Sequence, residues 1–290
     1  MVTISVHTVV SSNSIKYFKY LVENYTKKKS SEAKLIFYAH CTDNSAAKYF
    51  VNNSKIRVIS AFSEYKNYPS QSLREFIKKW IAFFGKNLRL SGSGGHIVGL
   101  NSILKNLDQE NINIIADADT VMLLKNWDLK IIELLVDYGV VGTPYEDIGG
   151  FSSGSSIYQT YKDKPNAVWM ALSPKYPWSK LSFNHIKNKN LLINNEYLSE
   201  LYNLPVGYEL VRDVGWEIPL FLEENNIQYR AFKQIKPTSP KIKVLKTGID
   251  YHEEYHLDDS VVLAHQRGSN IHPFRGNEIS RTFYDACESH

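Results

Sequence analysis

Two carboxylates one residue apart, Asp117 and Asp119, interrupt the run Ile114-Ile115-Ala116-Asp117-Ala118-Asp119-Thr120-Val121-Met122-Leu123. If the run is one strand, alternate side chains share a face, and both acids point the same way. Carboxylates that close repel each other unless a cation lies between them or one holds a proton. A hard divalent ion such as Mg2+ or Mn2+ suits oxygen ligands, and phosphate oxygens can complete its shell. At the carboxyl end of a central strand the pair sits where open α/β sheets bind ligands. Asp-x-Asp by itself is common in surface turns. The apolar strand before it, small Ala118 and a helix-like segment over Asn126–Tyr138 raise the metal reading against the surface-turn one.

Other residues could join that chemistry. His265 ends the apolar run Val261–Ala264 and opens a basic loop, so it offers an imidazole as a third ligand, with a structural histidine as the alternative. Arg267, His272 and Arg275 follow it and suit phosphates. Asp213 and Glu217 lie one helical turn apart. Asp213 is either a helix cap or a general base that takes a proton from an attacking hydroxyl. Tyr145, Trp169, Trp178 and Trp216 could stack on a sugar, or fill a core. The stretch Gly85–Gly95 offers either a phosphate cradle or a plain helix-joining loop, since neither glycine-rich nucleotide motif is present. His252-Glu253-Glu254-Tyr255-His256 satisfies the zinc-protease pattern HExxH. That pattern needs a stable helix with a buried face, and these flanks have almost no apolar face.

The elements that must carry these groups begin with a β-branched strand, Val2–Val10, a capping turn at Ser11–Ser14 and a helix over Ile15–Tyr25. A second strand follows over Lys34–His40, then the capping turn Cys41–Ser45, a short helix over Ala46–Asn52 and a third strand over Lys55–Phe62. Strand and helix in alternation mark a parallel sheet with right-handed crossovers. Helices are expected over Gln71–Phe84 and His96–Leu107, the second delivering the chain into the acid pair. Gly139–Pro144 reads as a short strand, and Tyr145–Asn190 as loops and short strands with exposed tryptophans. A helix over Asn194–Tyr202, another running to Glu224 and strands over Ile227–Phe232 and Val261–His265 complete the chain. Pro219 allows that last helix to start near Ile218 instead of Val214. The organisation expected is one α/β unit, with residues 1–143 and 144–290 as two halves of the same compact domain.

Bulk composition narrows the class. The 290 residues are 43% apolar and 22% charged with net charge +4, ordinary for a globular protein that can bury a large core. The longest basic run is Lys27–Lys29, so no nucleic-acid arm is expected. Two cysteines, Cys41 and Cys287, make no disulfide framework, and a reducing, cytoplasmic setting is expected. No stretch has the length of a membrane span and no signal peptide is expected.

In this order, the strand Val2–Val10, the turn Thr42–Ser45, His96–Asn101, Asp117-Ala118-Asp119, Arg212-Asp213 and the late His265 resemble the nucleotide-sugar glycosyltransferases of the GT-A fold. The resemblance implies a Rossmann-like, mostly parallel sheet flanked by helices, with residues 1–143 as the nucleotide-sugar-binding half and 144–290 as a looser acceptor-binding and catalytic half. It implies a UDP- or GDP-linked sugar donor, a glycan or other hydroxyl acceptor, and a Mn2+ or Mg2+ cofactor. Thr8, Val9, Asp43, His96, Asn101, Asp117 and Arg267 are then donor contacts. Asp119, Asp117 and His265 hold the metal, and Asp213 is the base of an inverting reaction, although the usual acidic pair reads Arg212-Asp213 here. Tyr145, Trp169, Trp216 and Glu217 are the acceptor contacts. Two alternatives remain at this stage. A sugar nucleotidyltransferase would need a glycine-rich basic loop where Ser11–Ser14 stands, and a non-catalytic glycan-binding relative would not need the intact acids.

Overall fold

Val2–Val10 becomes strand β1 of a central sheet, buried along most of its length, as its continuous apolar and β-branched run requires when both sheet faces are covered. The protein is described by a computed structural model over residues 1–61, 93–144, 156–157, 163–183, 190–202, 205–211, 214–235, 252–266 and 283–288. The expected helix at 71–84, most of the glycine-rich stretch, and Tyr145, Asp213, Arg267, His272 and Arg275 lie outside the described residues.

After β1 come α1 (Ile15–Lys28), β2 (Ala33–Cys41), α2 (Asn44–Phe50), β3 (Ile56–Ser60), α3 (Ser93–Lys105), β4 (Ile112–Ala116), β5 (Thr120–Met122), α4 (Trp127–Asp137) and β6 (Val140–Pro144). Then follow β7 (Ser156–Ile157), β8 (Pro165–Leu172), β9 (Asn190–Leu192), α5 (Glu196–Tyr202), β10 (Glu209–Val211), α6 (Ile218–Glu224), β11 (Tyr229–Ala231), β12 (Lys233–Ile235), β13 (His252–Leu257) and β14 (Ser260–Gln266). Residues 283–288 form a further helical turn.

The fold is mixed α/β. Seven strands form the main sheet in the order β11-β6-β8-β4-β1-β2-β3, with β8 alone antiparallel to its neighbours. From β1 the chain winds outward to β3, then returns to β4 on the other side of β1. That reversal is the switch point at which open sheets leave a crevice beyond their carboxyl ends. A second sheet, β12-β13-β14-β5, packs against the first through Tyr255, Leu257 and Leu263. Gly99 lets α3 lie close on β1, because a Cβ there would run into the Val9 side chain.

Three expectations change. The acid-pair run is not one strand: it breaks after Ala116, and β4 and β5 belong to different sheets. The region read as loops and short strands holds β8, an eight-residue interior strand buried on both faces, which erases the alternation that marks a half-exposed strand. Trp169 and Trp178, read as exposed, are core residues, Trp169 being stacked on Phe232 at 5.6 Å between centroids. Of the two starts left open for α6, the structure takes the later one, Ile218, with Pro219 in its first turn and Glu217 at the cap position.

Candidate active site

The turn between β4 and β5 carries both acids. Its conformation is set by Thr120, whose amide and hydroxyl both donate to the Asp117 carbonyl, at 3.2 and 2.8 Å. Tyr25 of α1 donates in turn to the Thr120 hydroxyl at 2.9 Å. One step along α1, the Asn24 side-chain amide takes both backbone polar groups of Met122, at 3.2 and 2.8 Å. Lys28, one turn further, donates to the Leu123 carbonyl at 3.0 Å. Helix α1 thus staples the segment after the acids from one face, as its i, i+1, i+4 spacing allows. β14 pairs antiparallel with β5, placing His265 opposite Thr120, and the Gln266 amide donates to the Asp119 carbonyl at 3.2 Å.

The result is a cluster in which one ligand atom each of Asp117, Asp119 and His265 lies within 4.8 Å of the others. His265 Nε2 is 3.3 Å from Asp119, and His96 Nε2, from the first turn of α3, is 3.8 Å from Asp117. Asp117 keeps about a quarter of its side chain exposed (26%), so the cluster opens to solvent on that side. Burial, with Asp119 beside it, pushes the Asp117 carboxyl above its usual range, while His96 and His265 pull it back. Burial pulls the His265 imidazole toward its neutral form, but Asp119 and Glu253 together outweigh it and hold the pKa well above the ordinary value. Two carboxylates with one imidazole suit Mn2+ or Mg2+, and three protein ligands leave positions open for phosphate oxygens.

The other expected contacts fare differently. Asp43 has both carboxylate oxygens engaged by backbone amides, Ala46 N at 2.8 Å and Ser12 N at 2.7 Å, so it caps α2 and ties two loops together. Asn101, expected as a donor contact, holds the Phe183 backbone: its side-chain nitrogen donates to Phe183 O at 2.8 Å and its oxygen accepts from Phe183 N at 2.9 Å. Thr8 is sealed inside the sheet, and Val9 packs beside Gly99. Trp169 has no exposed surface and offers no stacking face to an acceptor. Trp216 packs with Ile193, Leu201 and Tyr202, and Glu217 is buried at the start of α6.

The HExxH stretch is strand β13, not a helix, joined to β14 through a turn with Asp258 at positive φ. His252 and His256 both face Glu254, at 3.4 and 3.2 Å, on the side of β13 away from the cluster. Glu253 points the other way, to His265. Sequence reasoning missed Glu253, Tyr25, Asn24 and Thr120. For Glu253 the signal was present, because Glu253, Tyr255 and Leu257 alternate with His252, Glu254 and His256.

No protein-family model matches the chain, and no curated protein sequence does either. Solved structures resemble it at low identity. The galactosyltransferase LgtC, crystallised with donor and acceptor sugar analogues, gives TM-score 0.48 at 11% identity, over 98% of this chain and 95% of that one. S. aureus TarS gives TM-score 0.34 at 14% identity, over 80% and 60% of the two chains. The 4-diphosphocytidyl-2C-methyl-D-erythritol synthase of Anaerococcus prevotii gives 0.33 at 13%, over 77% and 95%. All three scores lie below 0.5, so what this chain does has to be read from its own residues.

Proposed function

We propose that the protein is a metal-dependent glycosyltransferase that moves a sugar from a nucleotide-diphosphate donor, UDP- or GDP-linked, to a hydroxyl acceptor. The observation that carries this reading is the Asp117, Asp119 and His265 cluster at the carboxyl end of β4, beside the switch point between β1 and β4. Asp119, Asp117 and His265 hold Mn2+ or Mg2+, which when bound offsets charge on a departing diphosphate. Helix α3 starts at Ser93, and His96 in its first turn lies beside Asp117, so that helix end lies near the acid pair. The amides of a helix N-terminus favour phosphate. Residues 1–143 supply the donor side and 144–290 the acceptor side, with Asp213 as the base of an inverting transfer.

The nucleotidyltransferase alternative is weakened by the loop after β1. Its Ser11 amide donates to Ser14 Oγ at 2.9 Å and its Ser12 amide to Asp43 at 2.7 Å, so these amides are not free to cradle a phosphate.

Thermal unfolding with nucleotide tests the proposal. UDP or GDP at a hundredfold excess over Kd stabilises by about 2.7 kcal/mol, and the shift appears only with Mn2+ or Mg2+. An equal shift in EDTA refutes metal-dependent donor binding.

A further inference from the structure

We infer that Glu253 is a positioning residue for the metal centre, orienting His265 toward the acid pair from behind; this rests on the metal reading above. β13 and β14 place Glu253 directly opposite His265, and β5 places Thr120 opposite His265 on its other side. These three side chains therefore share one sheet face. His265 Nε2 is directed at Asp119 at 3.3 Å, and its other ring nitrogen, Nδ1, lies 3.5 Å from Glu253 Oε2. Glu253 is 2% exposed, and the Tyr255 hydroxyl donates to the same Oε2 at 2.6 Å. Tyr255 is itself fixed in the core between the two sheets. The order is thus Tyr255, Glu253, His265, acid pair.

A carboxylate behind a ligand imidazole selects the tautomer with its proton on Nδ1. The Nε2 lone pair is then free for the metal, and the ring cannot swing. Burying a carboxylate next to a histidine costs desolvation energy, which an apolar residue at 253 would avoid. Strand alternation explains why a glutamate at this position faces the cluster while its neighbour Glu254 faces away. The two adjacent glutamates divide: Glu254 sits between His252 and His256, and Glu253 serves His265.

The test is Mn2+ affinity, measured by calorimetry or Mn2+ spin resonance on the full chain, with the unfolding midpoint in EDTA beside it. Glu253→Gln keeps the shape and removes the charge, and it is expected to weaken Mn2+ binding by about 10- to 100-fold. Its EDTA midpoint stays near that of the parent. Tyr255→Phe, which frees Glu253 without altering it, weakens binding in the same sense by a smaller factor and serves if Glu253→Gln does not fold. If the parent binds Mn2+, His265→Ala weakens it, and both Glu253→Gln and Tyr255→Phe bind as the parent does, the positioning role is overturned while the metal centre stands. If the parent binds no Mn2+, both readings fall.

Discussion

Acid should loosen this fold through two buried histidines in the sheet beneath the site. His7 of β1 and His40 of β2 are fully buried, with His7 Nδ1 and His40 Nε2 3.1 Å apart. His7 Nε2 meets Asn113 Oδ1 at 3.1 Å on β4, and His40 Nδ1 meets the Ser102 hydroxyl at 2.9 Å on α3. Asn113 donates its own amide hydrogens to two backbone carbonyls, so its oxygen faces His7. With both rings neutral every ring nitrogen has a partner: Ser102 donates to His40, His40 to His7, and His7 to Asn113. An added proton leaves a charge sealed from solvent, with no carboxylate among the described residues bonded to either ring. Burial accordingly drives His7 down to about 4, against weaker upward pulls from Asn113 and Asp108. Burial, with His7 beside it, drives His40 well below its ordinary value.

A histidine depressed in the folded state is protonated first in the unfolded chain, so stability falls as pH drops through the unfolded value and levels off below the folded one. With 6.5 unfolded and about 4 folded, acidification from pH 7 to pH 5 should remove ~2 kcal/mol through His7 alone. Urea unfolding at pH 8, 7, 6 and 5 reads this, comparing the parent with His7→Gln. The variant is less stable at pH 8, but its loss between pH 7 and 5 is smaller by ~2 kcal/mol. His265 is shifted the opposite way and contributes the opposite slope, yet it is common to both proteins and cancels in the difference. Superimposable pH slopes would refute the reasoning, because His7 would then titrate alike in both states.

Gly99→Ala brings a methyl group into Val9, whose β-branched side chain has little freedom to move. Overpacking of this kind costs about 1–3 kcal/mol and outweighs the gain of about 1 kcal/mol from replacing glycine in a helix. A lowered urea midpoint checks it, and the loss should vanish in a Val9→Ala background. Asp213→Asn is expected to keep the nucleotide- and Mn2+-dependent thermal shift and to lose transfer to water or acceptor. Retained turnover removes Asp213 as the base.

Much of the frame was legible because its signals are local. β-branched runs, capping turns and helical spacing place β1, α1, β2, α2 and β3 within a few residues, and they predict the parallel winding. Asp117, Asp119 and His265 were legible as residue types, since carboxylates and an imidazole at the ends of apolar runs are unusual enough to notice. Their meeting was expected from the resemblance as one metal site, but the contacts that bring it about were not legible. It depends on β14 pairing with β5 across more than a hundred residues, and on α1 holding the β4–β5 turn through Asn24, Tyr25 and Lys28. Tertiary packing also decided that Trp169 is core and that Asn101 bonds the Phe183 backbone. It made HExxH a strand in which Glu253 and Glu254 serve opposite faces. The chain's own order determines which residues carry charge and which segments alternate. Only strand pairing, which trades chain entropy for non-local hydrogen bonds and burial, decides which of those charges share one crevice.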